Sequence, residues 1–295
     1  MSKPLHVLYC GDYVYFQGIY LCALSAVKRT KCPIVFHLMT MSVNDEKRKY
    51  KAIDENELKA FKDMIKEFNE ENEAYLYDVT TSYQQTIAKS ANHNNKYSPY
   101  ALVRLFAEEY LPESVERLIY MDADTMVVSS LEAFNEYDIT NYELGACVDF
   151  LGKWWIGSEY FNSGVLLMNM KMIRQTNLLA RCRELVLNKK MFFADQDALN
   201  RLVKNLLFLP RKFNEQRFNE KSKKKKDTVV SHYPSHIWHF WDPVRPWQID
   251  LMHHRYKIYI FDEEYLYFLK NFPFEKLGLK RIKVDEKEIP GLSKN

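Results

Sequence analysis

The alternation of short apolar segments with helix-like segments is the feature that most limits what this chain can fold into. Apolar runs of strand length occur at 6–10, 34–39, 118–121 and 144–148, and amphipathic spacing such as that of 58–68 lies between them. Strands and helices that alternate in this way favour an α/β fold with an open, mostly parallel sheet and flanking helices. In such a sheet, ligands bind at the carboxyl ends of the strands.

Four carboxylates fall at those predicted strand ends: Asp12, Asp122, Asp124 and Asp149. Burying a charge is costly unless the charge is paired or binds a metal. Asp122 and Asp124 are one residue apart, so they suggest a cation between them. An acidic turn with solvated side chains would explain the same stretch if it stood alone. The other two strand-end acids favour the cation.

Composition indicates an ordinary globular protein, with 47% apolar and 27% charged residues among 295. This length allows one large domain or two small ones. The net charge of +3 gives no argument for a nucleic-acid partner. Five scattered cysteines without C-x-x-C spacing favour reduced thiols. No N-terminal signal is recognisable, and no apolar run approaches the roughly 20 residues of a membrane-spanning helix. We therefore expect a cytoplasmic protein.

Arg104 and Asp195 are charged residues in segments with helical spacing. Arg104 lies in the predicted helix 101–110, where it can pair with an acid or reach an anion in a cleft. Asp195 and Asp197 open a second predicted helix. Residues at i and i+2 of a helix do not face each other, so these two cannot chelate one ion together. Asp195 is therefore either a helix N-cap or a site residue.

The second half of the chain contains two unusual stretches. The stretch 231–247 combines prolines and tryptophans with His232, His236 and His239. Its prolines exclude a regular central strand, so we expect a functional loop. The Tyr- and Phe-rich stretch 255–274 either caps the core as helices or lies on a membrane surface, and capping is favoured.

Seven segments in order resemble family 8 glycosyltransferases, in particular the bacterial galactosyltransferases and glucosyltransferases that build cell-surface glycans. They are Leu8 to Tyr15, Arg104 in its helix, Arg117 to Thr125, Gly145 to Asp149, Tyr160 to Asn169, Asp195 to Asn200 and His239 to Trp247. The resemblance implies a GT-A fold with a Rossmann-like sheet. It covers the predicted catalytic domain at 1–250. The aromatic-rich composition of 251–295 predicts a small helical extension, with contact to a membrane or to the acceptor as open alternatives.

The resemblance also implies a site for a UDP-sugar. The implied contacts with the UDP-sugar are Asp12 and Tyr15 at the uracil, Asp122 at the diphosphate through the metal, Arg245 at the β-phosphate, and Arg104, Asp149, Asn162 and Asp195 at the sugar. Ala123 is a further implied contact with the UDP-sugar. Gln196 lies where the family places the amide nearest the reacting face of the sugar. Gln196, Asp195 and Asp149 are therefore the candidate catalytic residues.

The implied metal ligands are Asp122, Asp124 and His239. Mixed carboxylate and imidazole ligation suits Mn²⁺ better than Mg²⁺. His239 is preferred to His232 and His236 because five residues separate it from the Arg245-Pro-Trp sequence, as in the family pattern.

Three positions depart from the family pattern. Arg245 replaces a lysine, and it can still donate to a phosphate, with a different reach. Asp242 replaces a glycine and places an acid near the phosphates. Tyr13-Val14 replaces a common Asp-Asn pair, which alters the expected contacts to the base and ribose.

The implied activity is transfer of glucose or galactose from a UDP-sugar to a glycan, lipid-linked or glycoprotein acceptor, with retention of the anomeric configuration. Front-face attack by the acceptor is preferred, and a covalent adduct through Asp195 or Gln196 is the alternative. A non-catalytic sugar-nucleotide-binding protein is the alternative function. The sequence leaves open the sugar, the acceptor, contact with the inner face of the cell membrane and homo-oligomer formation.

Overall fold

The computed structural model of the protein describes residues 3–44, 49–93, 98–216, 227–233, 245–254, 257–282 and 284. The strands in this part of the chain are β1 (Leu5–Cys10), β2 (Ile34–Thr40), β3 (Val43–Asn44), β4 (Lys49–Tyr50), β5 (Glu73–Asp78), β6 (Arg117–Met121), β7 (Thr125–Val127), β8 (Leu144–Val148), β9 (Phe161–Asn169), β10 (Leu206–Phe208) and β11 (Val230–His232).

The α-helices are α1 (Phe16–Val27), α2 (Glu55–Phe68), α3 (Thr80–Gln85), α4 (Ala107–Tyr110), α5 (Gly152–Trp155), α6 (Met170–Thr176), α7 (Leu178–Asn188), α8 (Ala194–Leu202), α9 (Ile249–His254) and α10 (Asp262–Asn271). Short 3₁₀ helices cover Ile87–Lys89, Pro99–Phe106, Leu131–Glu136 and Arg211–Phe213. Among the described helices, none has both the length and the apolar character to cross a bilayer.

Seven strands form the central sheet in the order β10-β8-β9-β6-β1-β2-β5. Neighbouring strands are parallel except at β9, which runs antiparallel to β6 and β8. This confirms the predicted α/β fold with a mostly parallel sheet. The reversal of β9 also matters for the site, because the first residues of β9 lie at the edge where β6 and β8 end. Met121 pairs with Val165, and Val148 pairs with Phe161.

Helix α1 is apolar on nearly every side because other elements cover it. It contacts α2, β7 and α10, and its buried residues run from Phe16 almost without interruption to Val27. A helix that is hydrophobic all round belongs in the interior of a protein. It follows directly on the turn that carries Asp12 and Tyr15, so the burial of α1 fixes the position of that turn.

The predicted amphipathic helix 58–68 is confirmed as part of α2. The helix begins at a capping box, in which the Asp54 carboxylate accepts from the Asn56 amide and the Glu57 carboxylate accepts from the Asp54 amide. Its apolar face, which includes Phe61, is buried against α1.

The predicted helix 101–110 is helical along its whole length, but it combines two helix types. The chain forms the 3₁₀ helix Pro99–Phe106 first, and only Ala107–Tyr110 is α-helical. The 3₁₀ helix contacts β1, β2, α7 and α8 and is buried on most sides, so tertiary packing decides its geometry rather than helix propensity.

The described part of the aromatic C-terminal stretch packs on the core. Phe268, Phe272 and Phe274 are buried, and the rings of Tyr20 on α1 and Phe272 are 5.0 Å apart. These contacts agree with core capping, the arrangement that the sequence favours. The domain boundary at residue 250 stays a prediction.

Candidate functional site

The residues predicted at the strand ends lie together at one edge of the sheet. The strands β1, β6 and β8 end at this edge, and β9 begins there. A series of direct contacts leads from Tyr15 through Arg245, Asp124 and His232 to Asp122. It continues through Arg104, Asp195, Ser163 and Gln196 to Asp149. These described residues therefore form one continuous polar site.

Asp122, Asp124 and His232 form the centre of this site. The Nε2 atom of His232 lies 3.3 Å from Oδ1 of Asp124 and 3.7 Å from Oδ2 of Asp122. One ligand atom from each residue falls within 4.8 Å of the others, so the three side chains could hold a metal ion. Two carboxylates and one imidazole are a donor set for a divalent transition metal.

The strand pairing of β11 with β7 brings His232 to the two aspartates. His232 lies opposite Thr125, the residue that follows Asp124. Its Nδ1 atom is 3.1 Å from Oδ1 of Asn214, which leaves Nε2 directed at the carboxylates. Gly164 on β9 leaves room for the ring, since a Cβ atom there would lie 2.1 Å from Cε1 of His232.

The electrostatic environment couples His232 to Asp124. Burial lowers the pKa of His232. The hydrogen bond to Asp124 and the charges of both aspartates raise the pKa by more than burial lowers it, so the net shift is upward. Burial raises the pKa of Asp124, and the charges of Arg245 and His232 more than offset this, so the net shift is downward. The site therefore favours a negative Asp124 beside a positive group.

Arg104 holds Asp122 and Asp195 together beneath the centre of the site. Its Nη2 atom lies 2.8 Å from Oδ1 of Asp122, and its Nε atom lies 3.3 Å from Oδ2 of Asp195. The guanidinium also packs over the ring of Tyr120, with Cζ 3.9 Å from the ring centroid. The Tyr120 hydroxyl donates to Oδ1 of Asp122 at 2.5 Å. Arg104 is therefore an ion-paired arginine, and the implied contact with a sugar stays a prediction.

Asp195 is buried among these groups rather than capping its helix. Burial raises the pKa of Asp195 to about 6, against the opposing charge of Arg104. Asp197, inside the first turn, reaches back to the segment before the helix, and its Oδ2 atom accepts from the amides of Phe192 and Phe193 at 3.1 Å each. Of the two aspartates that open α8, only Asp195 is therefore turned toward Arg104.

Asp149, Asn162 and Gln196 form the other end of the site. Oδ2 of Asp149 accepts from Nδ2 of Asn162 at 2.9 Å and from Nε2 of Gln196 at 3.3 Å. Oε1 of Gln196 accepts from the Ser163 amide at 2.9 Å. Both ends of the Gln196 amide are therefore engaged and its orientation is fixed.

Asp12, Tyr15 and Arg245 form the opposite end. Oδ1 of Asp12 accepts from the Tyr15 amide at 2.7 Å, which fixes the turn before α1. Arg245 pairs with Asp124, and its Nη2 atom donates to the Tyr15 hydroxyl at 3.3 Å. Ala123 is buried, and its carbonyl oxygen faces Gly18 of α1, where a Cβ atom would come within 2.7 Å of it.

The sequence-based choice of His239 as third metal ligand lies outside the described residues, as do His236 and Asp242. His239 therefore stays a prediction, and His232 is the histidine that the structure brings to the aspartates. Tyr120 and Asn214 were not predicted at all. Tyr120 lies two residues before Asp122, and that spacing was a usable signal. No sequence signal indicates Asn214, because its position depends on the 3₁₀ helix Arg211–Phe213 and on β11.

The seven-stranded sheet with its flanking helices has the GT-A fold, which solved glycosyltransferases share. The galactosyltransferase LgtC, solved as an active-site mutant, matches the structure with a TM-score of 0.65 and 20% identity. The match covers 96% of this chain and 98% of LgtC. Similarity at this level of identity shows the fold, and it confirms the predicted architecture.

The chain belongs to glycosyl transferase family 8, whose model matches residues 6–250. It is 29% identical to a putative glycosyltransferase of Haemophilus influenzae over 260 residues, which are 81% of this chain and 74% of that protein. A lipopolysaccharide 1,2-glucosyltransferase of Escherichia coli K12 is 23% identical over 282 residues, 85% of this chain and 78% of that protein. The predicted enzyme class, a hexosyltransferase of family 8, is thereby confirmed.

Proposed function

We propose that the protein transfers glucose or galactose from a UDP-sugar to a glycan acceptor with retention, using a divalent metal, Mn²⁺, at the strand-end site. The observation that carries this proposal is the cluster of Asp122, Asp124 and His232 beside the guanidinium of Arg245. An anionic diphosphate needs such a combination of metal ligands and a fixed cation. The family relatives that act on lipopolysaccharide support a glycan acceptor.

The three proposed metal ligands fit Mn²⁺, because carboxylate oxygens and a neutral imidazole nitrogen together suit this ion. When bound, the metal supplies a positive charge that stabilises the negative charge developing on the departing phosphate. His232 acts as the third ligand in this proposal, with Asn214 holding its other nitrogen. His239 is the rival ligand from the sequence.

Tyr15 and Arg245 serve the nucleotide end in this proposal. The Tyr15 ring lies next to the Arg245 guanidinium, with Cζ 5.6 Å from the ring centroid. The ring offers a face for the uracil, and the Asp12 carboxylate beside it offers an acceptor for the base. Arg245 donates to the β-phosphate as the bond to the sugar breaks, and its five fixed donors suit a phosphate.

Asp149, Asn162 and Gln196 serve the sugar end. Gln196 orients the sugar rather than attacks it, since both of its polar atoms already bond to protein groups. Asp195 is buried against Arg104 and Ser163, which makes it a poor nucleophile. These contacts favour front-face attack by the acceptor hydroxyl, with the departing phosphate taking the proton, over a covalent adduct.

The test is release of UDP from a panel of UDP-sugars with and without Mn²⁺, with and without a lipopolysaccharide core oligosaccharide. We expect Mn²⁺-dependent release from UDP-glucose or UDP-galactose, and NMR of the product should show a retained anomeric configuration. Asp124→Asn should abolish release, whereas Asp63→Asn, on an exposed face of α2, should leave it unchanged. Binding of UDP-sugars without turnover would instead support the non-catalytic alternative.

The cytoplasmic location stays a prediction.

A further inference from the structure

Two adjacent tryptophans are exposed beside the sugar end of the candidate site. Trp154 and Trp155 on α5 are 74% and 80% exposed, and Ile156 is 54% exposed. We call these three residues the tryptophan platform. Tryptophan side chains are usually well buried, and clustered exposed apolar residues mark a binding surface. The proposed roles of Asp149, Asn162 and Gln196 do not use them.

The platform is fixed to the site through Asp149. Oδ1 of Asp149 accepts from the amides of Leu151 at 2.9 Å and Gly152 at 2.6 Å, and so holds the first turn of α5. Its other oxygen accepts from Gln196 and Asn162. Gly152 lies so close to Tyr160 that a Cβ atom would come within 2.3 Å of its ring. The Asp149 carboxylate therefore positions both the side chains of the sugar end and the tryptophan platform.

We propose that the tryptophan platform binds the glycan acceptor, by stacking of a pyranose ring on an indole face. This inference rests on the proposed function, which places the donor sugar at Asp149 and Gln196. An acceptor hydroxyl must reach that sugar, so the rest of the acceptor lies over the neighbouring surface. The carbon-bound hydrogens of a pyranose make one of its faces apolar, and a flat aromatic ring buries that face while the hydroxyls stay in water.

The charges around the platform favour a glycan over a membrane surface. Residues 150–160 carry one lysine, Lys153, and one glutamate, Glu159, so the segment has no net charge. Attachment to an anionic membrane typically uses a cluster of basic residues. The ammonium of Lys153 lies 5.2 Å from the ring centroid of Phe150 and 5.3 Å from that of Trp154. It is placed to bond the hydroxyl or acidic groups of a sugar stacked on the indole.

The experiment compares glycan binding and UDP binding in the same variants. The glycan probe is the core oligosaccharide released by mild acid from a rough-form bacterial lipopolysaccharide, titrated by NMR. The donor probe is UDP with Mn²⁺, followed by the shift of the melting temperature. The double variant Trp154→Ala/Trp155→Ala should weaken oligosaccharide binding roughly tenfold or more and leave the UDP shift unchanged. Trp154→Phe/Trp155→Phe should keep most of the affinity, because a flat ring remains.

Tyr75→Ala is the matched control, since Tyr75 is 46% exposed on the edge strand β5, at the other end of the sheet from β10. Tyr75→Ala should change neither the oligosaccharide affinity nor the shift of the melting temperature with UDP. Equal oligosaccharide affinity in the alanine double variant and the wild type overturns the inference, as does a wild type that does not bind the oligosaccharide. If the alanine double variant loses binding to phosphatidylglycerol-containing vesicles but still binds the oligosaccharide as the wild type does, the inference is overturned in favour of a membrane surface. A wild type that does not bind UDP with Mn²⁺ contradicts the proposed function and the inference together.

Discussion

The buried guanidinium of Arg104 forms a salt bridge with the partly exposed Asp122, with Nη2 2.8 Å from Oδ1, at the centre of the site. The same guanidinium reaches Asp195 through Nε and the carbonyl oxygen of Ser163 through Nη1. It thus joins the ends of β6, β9 and α8. The arginine lies between two carboxylates and reduces their mutual repulsion, and it leaves Oδ2 of Asp122 directed at His232.

Replacement of Arg104 by alanine should therefore destabilise the metal-free protein strongly. Removing one partner of a buried ion pair typically costs about 3–5 kcal/mol, because the remaining charge is left buried and unpaired. Urea denaturation measures this loss. Lys59→Ala is the control, since Lys59 pairs with Asp63 where both side chains are exposed, and it should cost less than about 1 kcal/mol. Similar losses in the two variants would contradict a central role for Arg104.

The sequence predicts the edge of the sheet correctly but not the contacts between its residues. Strand-end position follows from local apolar runs, which is why Asp12, Asp122, Asp124 and Asp149 are found. The partner of Asp122 depends on packing between segments far apart in sequence, so the sequence leaves open whether Arg104 pairs with an acid or reaches an anion. The structure shows the ion pairs, and the contact with a sugar stays a prediction. His232 reaches the aspartates because β11 pairs with β7, and a three-residue strand leaves little trace in the sequence.

Replacement of His232 should distinguish the two candidate metal ligands. Because His232 is the histidine placed at the aspartates, His232→Ala should weaken Mn²⁺ binding more than His239→Ala does. Asn214→Ala, which removes the partner of Nδ1, should weaken it roughly tenfold. Isothermal titration of Mn²⁺ in the presence of UDP measures all three. A large loss in His239→Ala with little change in His232→Ala would make His239 the ligand, as the sequence suggests.

Buried His37 should make the protein less stable in mild acid. Burial, assisted by the neighbouring His6, lowers the pKa of His37 to about 3. The unfolded chain takes up this proton near pH 6.5, whereas the folded chain does not. The stability is therefore complete above about pH 6.5 and is lost progressively as the pH falls toward about 3.

The expected loss from His37 alone is about 2 kcal/mol between pH 7 and pH 5. Urea denaturation at several pH values measures it. In His37→Gln this part of the pH dependence should disappear, even if the variant is less stable at neutral pH. His254→Gln, at an exposed position, is the control and should keep the wild-type slope. An unchanged slope in His37→Gln would show that other groups cause the acid sensitivity.

Gly164 should be required for metal binding although it ligates nothing. A Cβ atom at this position would lie 2.1 Å from Cε1 of His232 and 2.8 Å from Oδ2 of Asp122, so alanine must displace one of them. Because both are proposed ligands, Gly164→Ala should weaken Mn²⁺ binding roughly tenfold or more, while far-ultraviolet circular dichroism stays native. Gly157→Ala is the matched control, since a Cβ atom there meets nothing within 4 Å. Retention of full Mn²⁺ affinity in Gly164→Ala would mean that the imidazole of His232 is not a ligand at this position.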